Sequence, residues 1–130
     1  MDYPKIVERL QVSFPGLMGV YVFGSQASGL ANGDSDLDLA VLVEGGIAPL
    51  MLWEVAGDIA DLVGIPVDLV DLRQASTILQ YQILTTGRRL WAKDFNTGVF
   101  EAFVLSEKTW LDQARAGLLE DIYREGRVHG

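Results

Sequence analysis

A chain of 130 residues, 49% of them apolar, is the size of one packed domain that buries roughly two-thirds of the surface its unfolded form exposes. Eighteen acidic residues against ten basic ones leave a net charge of −8. That balance counts against a polynucleotide ligand, because grip on nucleic acid comes from Lys and Arg neutralising phosphates. The absence of cysteine excludes a disulfide framework and a thiolate zinc site. No apolar run approaches the ~20 residues of a bilayer span. The start, Met1-Asp2-Tyr3-Pro4-Lys5, lacks the basic region and apolar stretch of a signal peptide, so the expected compartment is the cytoplasm.

Pro4 suits the first turn of a helix whose apolar positions are Ile6, Val7, Leu10 and Phe14, ended by Pro15-Gly16. A strand, Gly19 to Phe23, follows, then a short helix from Ser25 to about Leu30 and a polar turn, Ala31 to Ser35. A second strand runs to Val43 and stops at Gly45-Gly46. Pro49 opens a helix with Leu52, Trp53, Val55, Ala56, Ile59, Leu62 and Val63 on a broad apolar face, and Gly64 suits its left-handed C-terminus. Ile65 to Leu72 reads as a third strand. Ile78, Leu79, Ile83 and Leu84 give a further helical stripe closed by Gly87, and Arg88 to Ala92 a fourth strand. The longest helix extends from Val99 to about Glu125, with Phe100, Phe103, Val104, Trp110, Leu111, Ala114, Leu118 and Ile122 spaced at three and four. The alternation predicts a small α/β (α+β) domain spanning 1–130, with a mixed sheet, helices on one or both faces and a long C-terminal helix.

The chemistry concentrates between the first two strands. Phe23-Gly24-Ser25 ends one; Asp36-Leu37-Asp38 opens the next, with ten residues between Ser25 and Asp36. Alternate strand residues share a face, so the Asp36 and Asp38 carboxylates lie about 7 Å apart along the strand. Like charges that close repel unless a cation intervenes. Oxygen-only ligands suit Mg²⁺, which keeps waters and takes remaining ligands from substrate phosphates. Gly24 lets backbone approach a phosphate, and a helix beginning at Ser25 aims N–H groups toward it. Asp34 has the same parity but belongs to the turn, where capping explains it.

Gly-Ser, ten residues, then Asp-x-Asp resembles the signature of the polymerase-β-like nucleotidyltransferases. Their pattern is completed by a third acid on a later strand, which Val67-Asp68-Leu69-Val70-Asp71-Leu72 offers. The short chain and the run from Val67 to Thr77 resemble more closely the minimal nucleotidyltransferase (MNT) antitoxins paired with HEPN-domain RNase toxins. Asp68 and Asp71 are three apart and face opposite sides of a regular strand, so only one can join the site. Asp68, the more interior in the sequence, is taken as the third ligand, and Asp71 as a cap at the strand end.

The resemblance implies transfer of AMP from ATP to a tyrosine hydroxyl of the HEPN toxin, with pyrophosphate released. Two Mg²⁺ ions would be held by Asp36, Asp38 and Asp68, with Asp68 also taking the acceptor proton. Gly24, Ser25 and Ser28 would bind the phosphates. Many larger relatives carry Arg just after Gly-Ser, where this chain has Gln26-Ala27-Ser28. Arg73 is therefore the candidate base for the triphosphate, with Arg88 and Arg89 behind it. The rival readings are a small-molecule nucleotidyltransferase of the aminoglycoside-modifying sort and an antitoxin that neutralises by contact alone. Trp53 and Trp110 read as core residues, with an interface role left open for Trp110; Tyr21 or Trp91 is a minor candidate for base stacking, and His129 reads as a frayed terminal residue.

Overall fold

The structure is a computed structural model that describes residues 1–29 and 35–129, with side chains placed as far as residue 117. Leu30 and Asp34, and the side chains of Leu118, Ile122 and His129, therefore lie outside the described set.

Helix α1 (Tyr3–Ser13) is capped by Asp2, whose carboxylate accepts from Lys5 N at 3.2 Å, with Pro4 in the first turn. Strand β1 (Leu17–Phe23) leads into the single turn α2 (Ser25–Ser28), and β2 (Leu37–Val43) returns antiparallel to β1. Helix α3 (Pro49–Val63) ends at Gly64 with φ 76°, the left-handed turn that glycine accepts without a Cβ penalty. It crosses over to β3 (Val67–Asp71), which pairs parallel with β2. Helix α4 (Thr77–Thr86) starts at Ser76, whose hydroxyl accepts from Leu79 N. Strand β4 (Arg88–Ala92) pairs antiparallel with β1. Helix α5 (Phe95–His129) begins four residues earlier than the apolar spacing suggested; Thr97, fully buried, donates to Met18 O at 2.7 Å and fixes that first turn against β1.

The sheet order is β3-β2-β1-β4. One face carries Ile6, Leu10 and Phe14 of α1 and Val55 and Ile59 of α3 against Val20, Val22, Leu39, Val41 and Leu69. The other carries Ile83 of α4 and Phe100 of α5 against Tyr21, Ala40 and Leu42. Covered on both faces, β2 reads as an unbroken apolar run interrupted only by Asp38. Its fully buried Leu39, Val41 and Leu42 each contribute about 1.5–3 kcal/mol of hydrophobic stabilisation.

The two tryptophans read as core are exposed: Trp53 at 75% and Trp110 at 64%. Their spacing is helical, but among the described residues both lie on outward faces of their helices. Val55 and Ile59 supply the buried side of α3, and Val104 that of α5.

Candidate active site

Phe23 pairs with Asp38, so the Gly24–Ser25 step leaves β1 at the level where the acidic pair sits on β2. On the next strand Asp68 is the parallel partner of Asp38. Register partners on neighbouring strands are about 4.8 Å apart and point to one face. Asp38 and Asp68 thus stand side by side, on the face that Ala40, Leu42, Val70 and Leu72 turn toward α4 and α5. Asp36 precedes β2 by one residue and is exposed. The three carboxylates interact electrically. Burial first, then the charges of Asp68 and Asp36, raise the Asp38 pKa above the ordinary carboxylate value.

Gly24 has φ 68° and ψ −149°, a region essentially closed to other residues. A Cβ there would overlap Oδ2 of Asp38 and lie 3.2 Å from its Cγ. The glycine therefore lets the backbone of the turn rest directly on the Asp38 carboxylate. Beyond it, the leading N–H groups of α2 have no intrahelical acceptor, as at every helix start. Ser25 is partly buried, whereas Ser28 is exposed and its hydroxyl donates back to Ser25 O at 3.2 Å.

Asp68 and Asp71 do face opposite sides, but their burial is the reverse of the reading from sequence. Asp68 is exposed and Asp71 only 6% exposed. Asp71 accepts from Ile47 N at 3.2 Å and from Arg73 N at 3.1 Å, tying the β2–α3 loop to the turn after β3. Its capping role is that of a turn clamp, since Ser76 caps α4.

The structure does not bring Arg73 to the acids. Its Nε donates to Val43 O at 2.8 Å and its guanidinium lies 5.2 Å from the Phe100 ring centroid. Val43 is five residues along β2 from Asp38, about 16 Å at ~3.3 Å per residue. Arg88 and Arg89 pair with Val22 and Tyr21, at the end of the sheet that carries the Gly24 turn. Arg88 lies over the Tyr3 ring, and Arg89 is bound to Glu101 at 2.6 Å. Glu101 also accepts from the Tyr21 hydroxyl at 3.1 Å. Tyr21, 1% exposed, has no free ring face for a base. Glu101 escaped the reading from sequence; its one signal was a carboxylate between Phe100 and Val104, on the side of the helix that packs.

Magnesium fits the residues present. The donors are all carboxylates, the natural set for a hard cation, and the mutual repulsion felt by Asp38 is the charge that a cation would offset. Among the described residues no three acidic or histidine side chains are grouped closely enough to hold a metal ion. An Mg²⁺ there would complete its shell with water and phosphate oxygens. Two open grooves flank the sheet: one of about 720 Å³ between α1 and β4, and one of about 660 Å³ between α3 and the head of β3. Asp36, Asp38 and Asp68 line neither.

A glycine turn set against one of two carboxylates levelled on adjacent strands is the arrangement expected of an enzyme of the nucleotidyl-transfer class. The family described as Polymerase beta, Nucleotidyltransferase matches residues 5–96. The chain is 35% identical over 118 residues, 91% of its length and 85% of the relative's, to the protein adenylyltransferase MntA of Shewanella oneidensis. It superposes with a TM-score of 0.83 and 34% identity on a chain in a crystal structure of a toxin–antitoxin with AMP-PNP, covering 94% of this chain and 98% of that one. A structure of a tri-AMPylated Shewanella oneidensis HEPN toxin in complex with MNT antitoxin matches with a TM-score of 0.74 and 33% identity, over 92% of this chain and 93% of that one. The protein belongs to the polymerase-beta nucleotidyltransferase family, in its MNT antitoxin branch.

Proposed function

We propose that this chain is the antitoxin of a HEPN/MNT pair and transfers AMP from ATP to a tyrosine hydroxyl of its HEPN-domain toxin, in the cytoplasm. The observation that carries this reading is the pairing of Asp38 with Asp68, with Asp36 just ahead of β2, two residues before Asp38, and the Gly24 turn against the Asp38 carboxylate. An antitoxin acting by contact alone has no use for three repelling acids.

Asp36, Asp38 and Asp68 would hold two Mg²⁺ ions. When bound, these offset the charge of the triphosphate and lower the pKa of the acceptor hydroxyl. The chain's own residues supply the rest. The N–H groups opening α2 and the Ser25 hydroxyl hold the β- and γ-phosphates, leaving the α-phosphorus open to attack. Asp68, exposed on the edge strand β3, is the acid an incoming protein reaches first and takes the hydroxyl proton. The tyrosine oxygen bonds to the α-phosphorus, the bond from that phosphorus to the bridging oxygen breaks, and pyrophosphate leaves. Asp38, partly buried between the other two, is held in place by the Gly24 backbone.

The test is incubation of the chain with labelled ATP, Mg²⁺ and the toxin encoded beside it. AMP should appear on a toxin tyrosine with the native chain and not with Asp36→Ala. If no AMP appears, and Asp36→Ala neutralises the toxin as well as the native chain, the catalytic reading is wrong.

A further inference from the structure

The groove between α3 and β3 has a composition that the fold does not require. Trp53 on its rim is 75% exposed. Glu54, Asp58 and Asp61 line it beside Pro66 and Val67, with no basic residue among the lining. All of α3 contains three acids and no Lys or Arg.

Its floor includes Gly57, which stands in the same helical row as Trp53 and Asp61, four residues from each. A glycine inside a helix is less favourable than alanine by about 1 kcal/mol. Among the described residues nothing gives a reason for it. A Cβ at position 57 would meet nothing within 4 Å, and φ is not positive there. The missing side chain therefore makes room for something outside the chain, between an exposed indole and a row of carboxylates.

The groove lies on the face of the sheet opposite the acids: Val67, which lines it, packs with α3, whereas Asp68, bonded to it, has the parity of Val70 and Leu72 on the other face. Among the described residues β3 is an edge strand. A segment seated against α3 would therefore have to pass around that open edge to reach Asp68.

Resting on the function proposed above, we infer that the α3–β3 groove docks a basic, arginine-bearing segment of the acceptor protein and so delivers its hydroxyl to Asp68. Charge complementarity selects the occupant. An arginine pairs with Asp58 or Asp61, stacks its guanidinium on Trp53, and passes its aliphatic stem over the backbone at Gly57. Exposed aromatic residues that become buried beside charged partners are the usual anchors of such interfaces.

The experiment measures AMP transfer to the toxin encoded beside this chain, with kcat and the toxin KM determined separately across a range of salt. Four proteins are compared: the native chain, Trp53→Ala, Gly57→Gln and the triple variant Glu54→Gln/Asp58→Asn/Asp61→Asn. We expect the toxin KM to rise at least about tenfold in each variant, with the KM for ATP and kcat unchanged. The native KM should rise with salt, and the triple variant should lose that dependence. Because position 57 is open and glycine disfavours helix, Gly57→Gln should unfold at higher urea than the native chain, which excludes misfolding as the cause. Unchanged toxin KM in all variants overturns the inference while leaving the catalytic reading intact. So does a changed self-association of the chain without a changed toxin KM, which would assign the groove to a second copy. No transfer by the native chain overturns both.

Discussion

Replacing Gly24 by alanine separates the stability of the turn from the placement of Asp38. The backbone at Gly24 (φ 68°, ψ −149°) lies where only glycine is at ease, and holding another residue there costs about 1–3 kcal/mol. The added methyl also collides with Asp38 Oδ2, and the carboxylate must swing aside or the turn must lift. Gly29 is the internal control. It too has a positive φ, 76°, but nothing lies within 4 Å of a Cβ built on it. Alanine there bears only the left-handed penalty of about 1–2 kcal/mol. Urea unfolding should therefore show similar losses for the two variants. AMP transfer, measured at saturating Mg-ATP where both remain folded, should fall by about 100-fold in Gly24→Ala, the scale of a 1 Å misplacement. Gly29→Ala should stay within about threefold of the native rate. Equal activities in the two variants would refute the claim that the turn positions Asp38.

The acids of β3 should part company: Asp68→Asn is expected to lower transfer by about 10²–10⁴-fold at an unchanged urea midpoint, whereas Asp71→Ala strands two backbone donors, Ile47 N and Arg73 N, and should lose about 1–3 kcal/mol of stability. Arg73→Lys keeps the charge but loses the Nε bond to Val43 and the planar contact with Phe100; about 1 kcal/mol of stability should go, and calorimetric ATP affinity should not move. Burial first, then the charge and hydrogen bond of Glu101, raise the Tyr21 phenol pKa above its usual value, with Arg89 opposing. The folded chain thus keeps a proton that the unfolded chain releases above pH ~10. That stability is full below pH ~10 and is lost as pH rises toward the folded value, so urea midpoints should fall more steeply in alkali for the native chain than for Tyr21→Phe.

Apolar runs and three-to-four spacing placed the four strands and the longer helices close to their observed bounds, because β1 and β2 are buried on both faces and leave long apolar runs; α5 alone begins four residues before its stripe. The Asp36–Asp38 parity and the opposed faces of Asp68 and Asp71 also follow from the strand repeat alone. What the repeat does not contain is which face meets a neighbour. Trp53 fits the apolar stripe of α3 by spacing, but Val55 and Ile59 already fill the space against the sheet. Asp68 looks interior in the sequence, but it sits at the exposed start of an edge strand, while Asp71 is drawn inward by two backbone donors 24 and two residues away. Arg73 stands two residues beyond the strand that carries Asp68, and the strand's own length takes it to the other end.

The parallel union of β2 with β3 carries a temporal consequence. β1 and β2 close as neighbours, whereas Asp68 reaches Asp38 only after α3 has crossed the sheet, thirty positions downstream. Long-range pairings of this kind arrive late in folding, so the Gly24 turn against Asp38 is expected to form before Asp68 joins it. In refolding, recovery of adenylylation should lag behind recovery of helical circular dichroism, and simultaneous recovery would contradict this ordering. On the function proposed, a nascent chain is on that account catalytically silent until its edge strand β3 is seated.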